Sequence, residues 1–154
     1  MRALDDGDGL LLRLATWWNV NWSGERFTVA QVDADPHLAA YHRTAPEFGA
    51  VSTTGGAPTG VVWVTLFPES APGYGFVRSG VPELSVCVLP GYRGAGLGGA
   101  LVRAAVAEAG RRSVPALSLS VEEGNPARAL YERLGFVAAA GTAPGTLLRE
   151  LAAT

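Results

Sequence analysis

The chain has 154 residues, 48% of them apolar and 17% charged, with a formal net charge of −2. That size and composition support one folded core, exclude intrinsic disorder, and lack the basic surplus of a nucleic-acid binder. The single cysteine, Cys87, excludes an internal disulfide framework, and the absence of lysine excludes both a lysine-bearing phosphate loop and a lysine Schiff base.

Arg2 to Leu4 reads as a short first strand. Asp5 to Asp8 supply capping oxygens for a helix carrying Leu10, Leu11, Leu14 and Trp18 at helical spacing. These early acids are unlike a secretion signal, and no run of about 18 apolar residues exists. A cytoplasmic protein with no membrane partner is therefore expected. A loop around Asn19 to Gly24 leads to a second helical segment between Thr28 and Tyr41, which Pro36 breaks or restarts. Strands follow over Phe48 to Ser52 and Gly60 to Phe67, joined by a hairpin-type linker containing Gly55-Gly56. Pro68 to Gly80 is a long Gly- and Pro-rich loop.

Glu83 to Leu89 is apolar on both faces and reads as a central strand. After a turn, Leu97, Leu101, Val102, Ala105, Val106 and Ala109 form a helical stripe, and Ala116 to Val121 is another strand. Asn125-Pro126 opens a helix that Gly135 closes. Phe136 to Ala140 and Thr146 to Leu151 are closing strands. The predicted fold is a single α/β domain over residues 1–154. Its mixed, mostly antiparallel sheet has about six to seven strands flanked by about four helices.

The densest chemical signal is Arg93-Gly94-Ala95-Gly96-Leu97-Gly98-Gly99, between the central strand and its helix. Glycines there let backbone approach a ligand, and the first helical N–H groups with the helix dipole suit phosphate. Gly94, Gly96 and Gly99 formally match a dinucleotide fingerprint. However, the first glycine lies too far beyond the strand, and too little chain follows to complete a doubly wound domain. A plain tight turn is the simpler alternative.

The same residues also read as R-x-x-G-x-G, on Arg93, Gly96 and Gly98. The segment from Glu83 to Leu101 resembles the acetyl-CoA-binding core of the GCN5-related N-acetyltransferases, the GNAT family. Asn125-Pro-Ala-Arg-Ala-Leu-Tyr-Glu-Arg-Leu-Gly-Phe136 is similar to that family's next motif, and Gly73-Tyr-Gly-Phe-Val77 to a bacterial branch of it. The resemblance implies the GNAT fold, acetyl-CoA as co-substrate, and a small-molecule or peptide amine as acceptor. It implies that the strand beginning at Glu83 splays from the one beginning at Ala116, commonly through a bulge in the first. Val86, Cys87 and Val88 would pair with the pantetheine arm, with an N–H near Val88 polarising the thioester carbonyl. Arg93, Gly94, Ala95, Gly96, Leu97, Gly98 and Gly99 would hold the pyrophosphate, and Asn125 the cofactor arm.

The implied catalytic pair is Glu83 as general base, acting directly or through water, and Tyr131 as the acid that protonates the departing CoA thiolate. By spacing alone Tyr131 is a core aromatic, Glu83 a solvated strand-end carboxylate, and Asn125 a helix cap. Some relatives carry the acidic group on the strand after the glycine helix, where this chain has Ser120. Cys87 reads as a buried small residue rather than a nucleophile. His37 and His42 are too isolated for a metal site and are expected at the surface or acceptor side. Trp18, Trp22, Tyr74 and Phe76 lie on segments that wall the acceptor pocket in relatives. Homodimers are common in the family, and the sequence does not decide the oligomeric state. A GNAT-like acyl-CoA-binding module without catalysis is the alternative, and the presence of both a base and an acid candidate argues against it.

Overall fold

The computed structural model describes residues 1–152. Strand β1 (Arg2–Ala3) is followed by a 3-10 turn, Asp6–Asp8, and helix α1 (Gly9–Val20). Asp5 and Asp8 cap that turn reciprocally, and Asp8 also receives both terminal nitrogens of Arg2 at 2.8 and 2.7 Å. The segment expected as one broken helix is two, α2 (Val29–Ala34) and α3 (Pro36–Arg43). Thr28 and Gln31 form a capping box on α2, while Asp35 accepts from the N–H groups of His37 and Leu38 with Pro36 at the first position of α3. Pro36 therefore restarts the helix, and five α-helices stand where about four were expected.

Strands β2 (Phe48–Thr54) and β3 (Ala57–Thr65) form a hairpin through Gly55-Gly56. Strand β4 (Glu83–Val88), α4 (Leu97–Arg111), β5 (Ala116–Ser120), α5 (Ala127–Arg133), β6 (Val137–Ala138) and β7 (Thr146–Glu150) complete the chain. The seven strands are ordered β1-β2-β3-β4-β5-β7-β6. Every neighbouring pair is antiparallel except β4–β5.

Alternation along β3 divides the core. Val62 and Val64 pack with Leu84, Leu101, Val102, Leu117 and Phe136 under α4. Val61 and Trp63 face the other way, with Leu12 and Ala15 of α1 and with Cys87. Burying these side chains is the main favourable term holding both helical layers to the sheet. His42 is half-buried rather than at the surface: its side chain is only 7% exposed and sits 3.2 Å from Asp33. No helix among the described residues is long and apolar enough to cross a membrane.

Candidate active site

The sheet opens in its middle. Strands β4 and β5 run parallel but share a single register pair, Glu83↔Ser118. On its other edge β4 pairs with β3 without interruption from Thr65↔Glu83 to Gly60↔Val88. The gap therefore opens without a bulge in β4, contrary to the expectation from sequence. The continuous register also assigns the free backbone groups. Leu89 donates to Thr59 beyond the end of β3, so the period of two turns Cys87 and Ser85 toward β3 as well. Pro82 instead accepts from Ser118 across β5. Of the same parity, Leu84 still pairs with Ser118 through its amide, whereas Val86 and Val88 direct their amides and carbonyls into the gap. Arg93 Nε lies 3.4 Å from the Val88 carbonyl, as that orientation requires.

A cleft of about 650 Å³ follows the gap. At one end, α4 begins after Gly94 and Gly96, whose φ angles of +85° and +79° favour glycine. No side chain caps α4, and its first helical bond runs from Ala100 N to Gly96 O. The N–H groups of Leu97, Gly98 and Gly99 consequently have no intrahelical acceptor. Asn125 precedes the N-cap residue Pro126 and accepts from Ala127 N, the first residue of α5, at 3.0 Å, and its side-chain N–H₂ makes no hydrogen bond among the described residues.

At the other end lies Glu83, which is 4% exposed. Its Oε1 accepts from Tyr41 Oη at 2.6 Å and from Gly75 N at 3.1 Å. The Tyr41 hydroxyl also accepts from Tyr74 N at 2.7 Å. The loop carrying Gly73 and Gly75 closes directly over the carboxyl: a Cβ at Gly73 would collide with Oε2, and one at Gly75 would approach Oε1 to 2.9 Å. Burial raises the Glu83 carboxyl to about 7 against the opposing pull of the Tyr41 and Gly75 hydrogen bonds. Its register partners Thr65 and Ser118 are also buried. Thr65 Oγ1, Glu83 Oε2 and Ser118 Oγ form one row across three strands, and none has a partner among the described residues. Such groups are costly to leave unpaired, so the row calls for a further polar partner.

Tyr131 on α5 packs edge-on to Phe136, with ring centroids 6.3 Å apart. Burial raises its phenol to about 12, so it holds its proton at neutral pH. Cys87 is buried, its thiol pushed up to about 12 by burial, which leaves it a poor nucleophile.

Of the residues expected from sequence, Glu83, Val86, Cys87 and Val88 line the cleft along β4, and Arg93, Gly98, Asn125 and Tyr131 line it from the facing elements. Gly94, Ala95, Gly96, Leu97 and Gly99 form the turn and first residues of α4 outside its walls. Cys87 contributes its thiol side rather than gap-facing backbone. Trp18, Trp22 and Tyr74 line the cleft, and Phe76 does not. Sequence reasoning missed Tyr41, Thr65 and Ser118. The Gly73-Tyr-Gly pattern was a usable signal for the loop over Glu83, whereas nothing local marks Tyr41, which is 42 residues away from its carboxyl partner.

The model of the acetyltransferase (GNAT) family matches residues 11–136. No curated protein matches the chain in sequence. Among solved structures, a putative acetyltransferase from Salmonella typhimurium with its cofactor acetyl-CoA superposes with a TM-score of 0.69 at 23% identity, covering 99% of this chain and 94% of that one. A GNAT family acetyltransferase from Brucella melitensis in complex with acetyl-CoA gives 0.64 at 21% identity, covering 98% and 86%. A ribosomal-protein-alanine N-acetyltransferase from the same organism gives 0.64 at 22% identity, covering 97% and 98%. These likenesses carry the fold, and the family match spans most of the chain. With a sheet splayed between β4 and β5 and a glycine turn opening α4, the chain belongs to the GNAT family of acetyltransferases.

Proposed function

We propose that the chain acts as one acetyl-CoA-dependent N-acetyltransferase domain, moving an acetyl group to a primary amine by direct attack in a ternary complex. The observation that carries this reading is the two-ended gap. Unpaired backbone groups and an uncapped helix start lie at one end, and a buried carboxyl tuned to about 7 lies at the other. The donor set fits acetyl-CoA. The N–H groups at the start of α4, with Arg93, suit a pyrophosphate. The gap-facing backbone of Val86 and Val88 suits an extended amide-bearing arm, to which the Asn125 amide is a further donor. Acetyl-CoA would supply an activated acetyl thioester and a thiolate leaving group.

The chain's own residues divide the remaining work. The Val88 N–H, turned into the gap, polarises the thioester carbonyl. Glu83, five residue steps along β4 from Val88, takes the proton of the attacking amine through a chain of water that ends at the Thr65 and Ser118 hydroxyls. A base near 7 is half ionised at neutral pH while keeping proton affinity, which suits this role. Tyr131, protonated throughout the working range, gives its proton to the departing sulfur. One carboxyl and one phenol held well apart in proton affinity supply base and acid in a single site. The test is calorimetric binding of acetyl-CoA together with amine-dependent release of CoA thiol. Binding and release support the proposal, and binding without turnover of any amine would refute the enzymatic role.

A further inference from the structure

We propose that the acceptor is a small primary amine on an apolar, aromatic-sized body without a carboxylate, and that Asp35 enforces this selection. This deepens the acetyltransferase reading and rests on it. Five residue steps of β4 separate Val88, beside the start of α4, from Glu83, a span of about 17 Å. The acceptor therefore enters at the Glu83 end, away from the phosphate end.

That end is walled by Tyr41, Tyr74, Trp63 and Leu38, while Trp22 stands beside Gly124 near Asn125. Aromatic faces in a narrow cleft attract an ammonium and an apolar body together. The charges there have one sign. Asp35 lines the cleft, its Oδ1 accepts from the N–H groups of His37 and Leu38, and its Oδ2 makes no hydrogen bond among the described residues. Its hydrogen-bond partner His37 stacks on Tyr74, which sets the carboxylate beside that wall. Glu83 adds a second acid.

The cations that line the cleft are engaged. Arg26 holds Glu122 at 2.5 Å and the Val20 carbonyl at 2.6 Å, and Arg93 belongs to the phosphate end. His37 stacks on Tyr74 at 3.6 Å but does not line the cleft. An α-amino acid would carry its carboxylate, two bonds from the reacting nitrogen, into the field of Asp35 and Glu83 with no cation to pair it. Burying such a charge unpaired is strongly unfavourable. The same body without the carboxylate meets only complementary groups.

The experiment compares matched pairs on the full chain with saturating acetyl-CoA, reading CoA thiol release: 2-phenylethylamine against phenylalanine, tryptamine against tryptophan, and isopentylamine against leucine. The expected result is a kcat/KM at least about tenfold higher for each amine than for its amino acid. Asp35→Asn retains the helix-capping oxygen and removes the charge. It should shrink that ratio severalfold while leaving the acetyl-CoA Kd unchanged. Equal use of amines and amino acids, preference for a peptide N-terminus, or an unchanged ratio in Asp35→Asn overturns the proposal. Acetyl-CoA binding with no turnover of these amines also overturns it. Failure to bind acetyl-CoA at all would instead bring down the acetyltransferase reading beneath it.

Discussion

The hydrogen bond from Tyr41 to Glu83 gives the sharpest handle on the proposed base. At 2.6 Å it supports the ionised carboxylate from inside the protein, and it is the larger of the two hydrogen bonds that oppose the effect of burial. Tyr41→Phe removes it and keeps the ring that packs edge-on against Phe67, with centroids 4.9 Å apart. A hydrogen bond to a charged group contributes about 1.5–3 kcal/mol, and each pH unit corresponds to about 1.4 kcal/mol. The Glu83 carboxyl should therefore rise from about 7 by about one to two pH units. Because the base works ionised, the acid limb of the kcat/KM profile must move to higher pH by the same amount. The assay is CoA thiol release at subsaturating amine from pH 5.5 to 10, with thermal unfolding to confirm the fold. Substantial recovery of activity at high pH is expected. An acid limb that stays in place, or moves to lower pH, would refute Tyr41 as the residue that tunes Glu83.

Three other outcomes follow from the same geometry. Burial raises the Glu83 carboxyl from 4.5 to about 7, so the native state binds the extra proton between those values and stability falls as pH rises through that window. Glu83→Gln removes a penalty of about 3 kcal/mol at pH 8 and should raise Tm there on the order of 10 °C, with little change at pH 4; equal Tm shifts at both pH values would contradict the linkage. Tyr131→Phe should lower kcat about 10²-fold with the acetyl-CoA Kd within about twofold, and an unchanged kcat removes its role as the acid. Gly96→Val places a β-branched residue at a φ of +79° and a side chain at the proposed phosphate position. Its acetyl-CoA affinity, measured by calorimetry with circular dichroism to confirm folding, should fall more than tenfold, and intact affinity would move the phosphates elsewhere.

The second half of the chain was legible because its signals are local. The apolar run of β4, the glycine turn, the stripe of α4 and the Asn125–Gly135 bracket each lie within a few residues and point the same way. The first half depended on chemistry that sequence leaves open. Pro36 is compatible with ending a helix or starting one, and the Asp35 oxygen that accepts from His37 and Leu38 makes it a start. The gap was expected from the family likeness, but its construction was not: register parity turns Val86 and Val88 toward the gap while Cys87 stays with β3. The environment of Glu83 was the least readable part. Its partners come from α3, from the 73–75 loop and from the flanking strands, and only folding brings Tyr41, Gly75, Thr65 and Ser118 to one carboxyl.

Glu83 is the proposed base for amine acetylation from bound acetyl-CoA. The most direct measurement is steady-state acetyl transfer by Glu83→Gln at pH 8 alongside its calorimetric acetyl-CoA Kd. The expected result is a kcat lower by at least about 10²-fold with the Kd within about twofold of the parent chain. A kcat within a few-fold of the parent, at unchanged affinity, would contradict it.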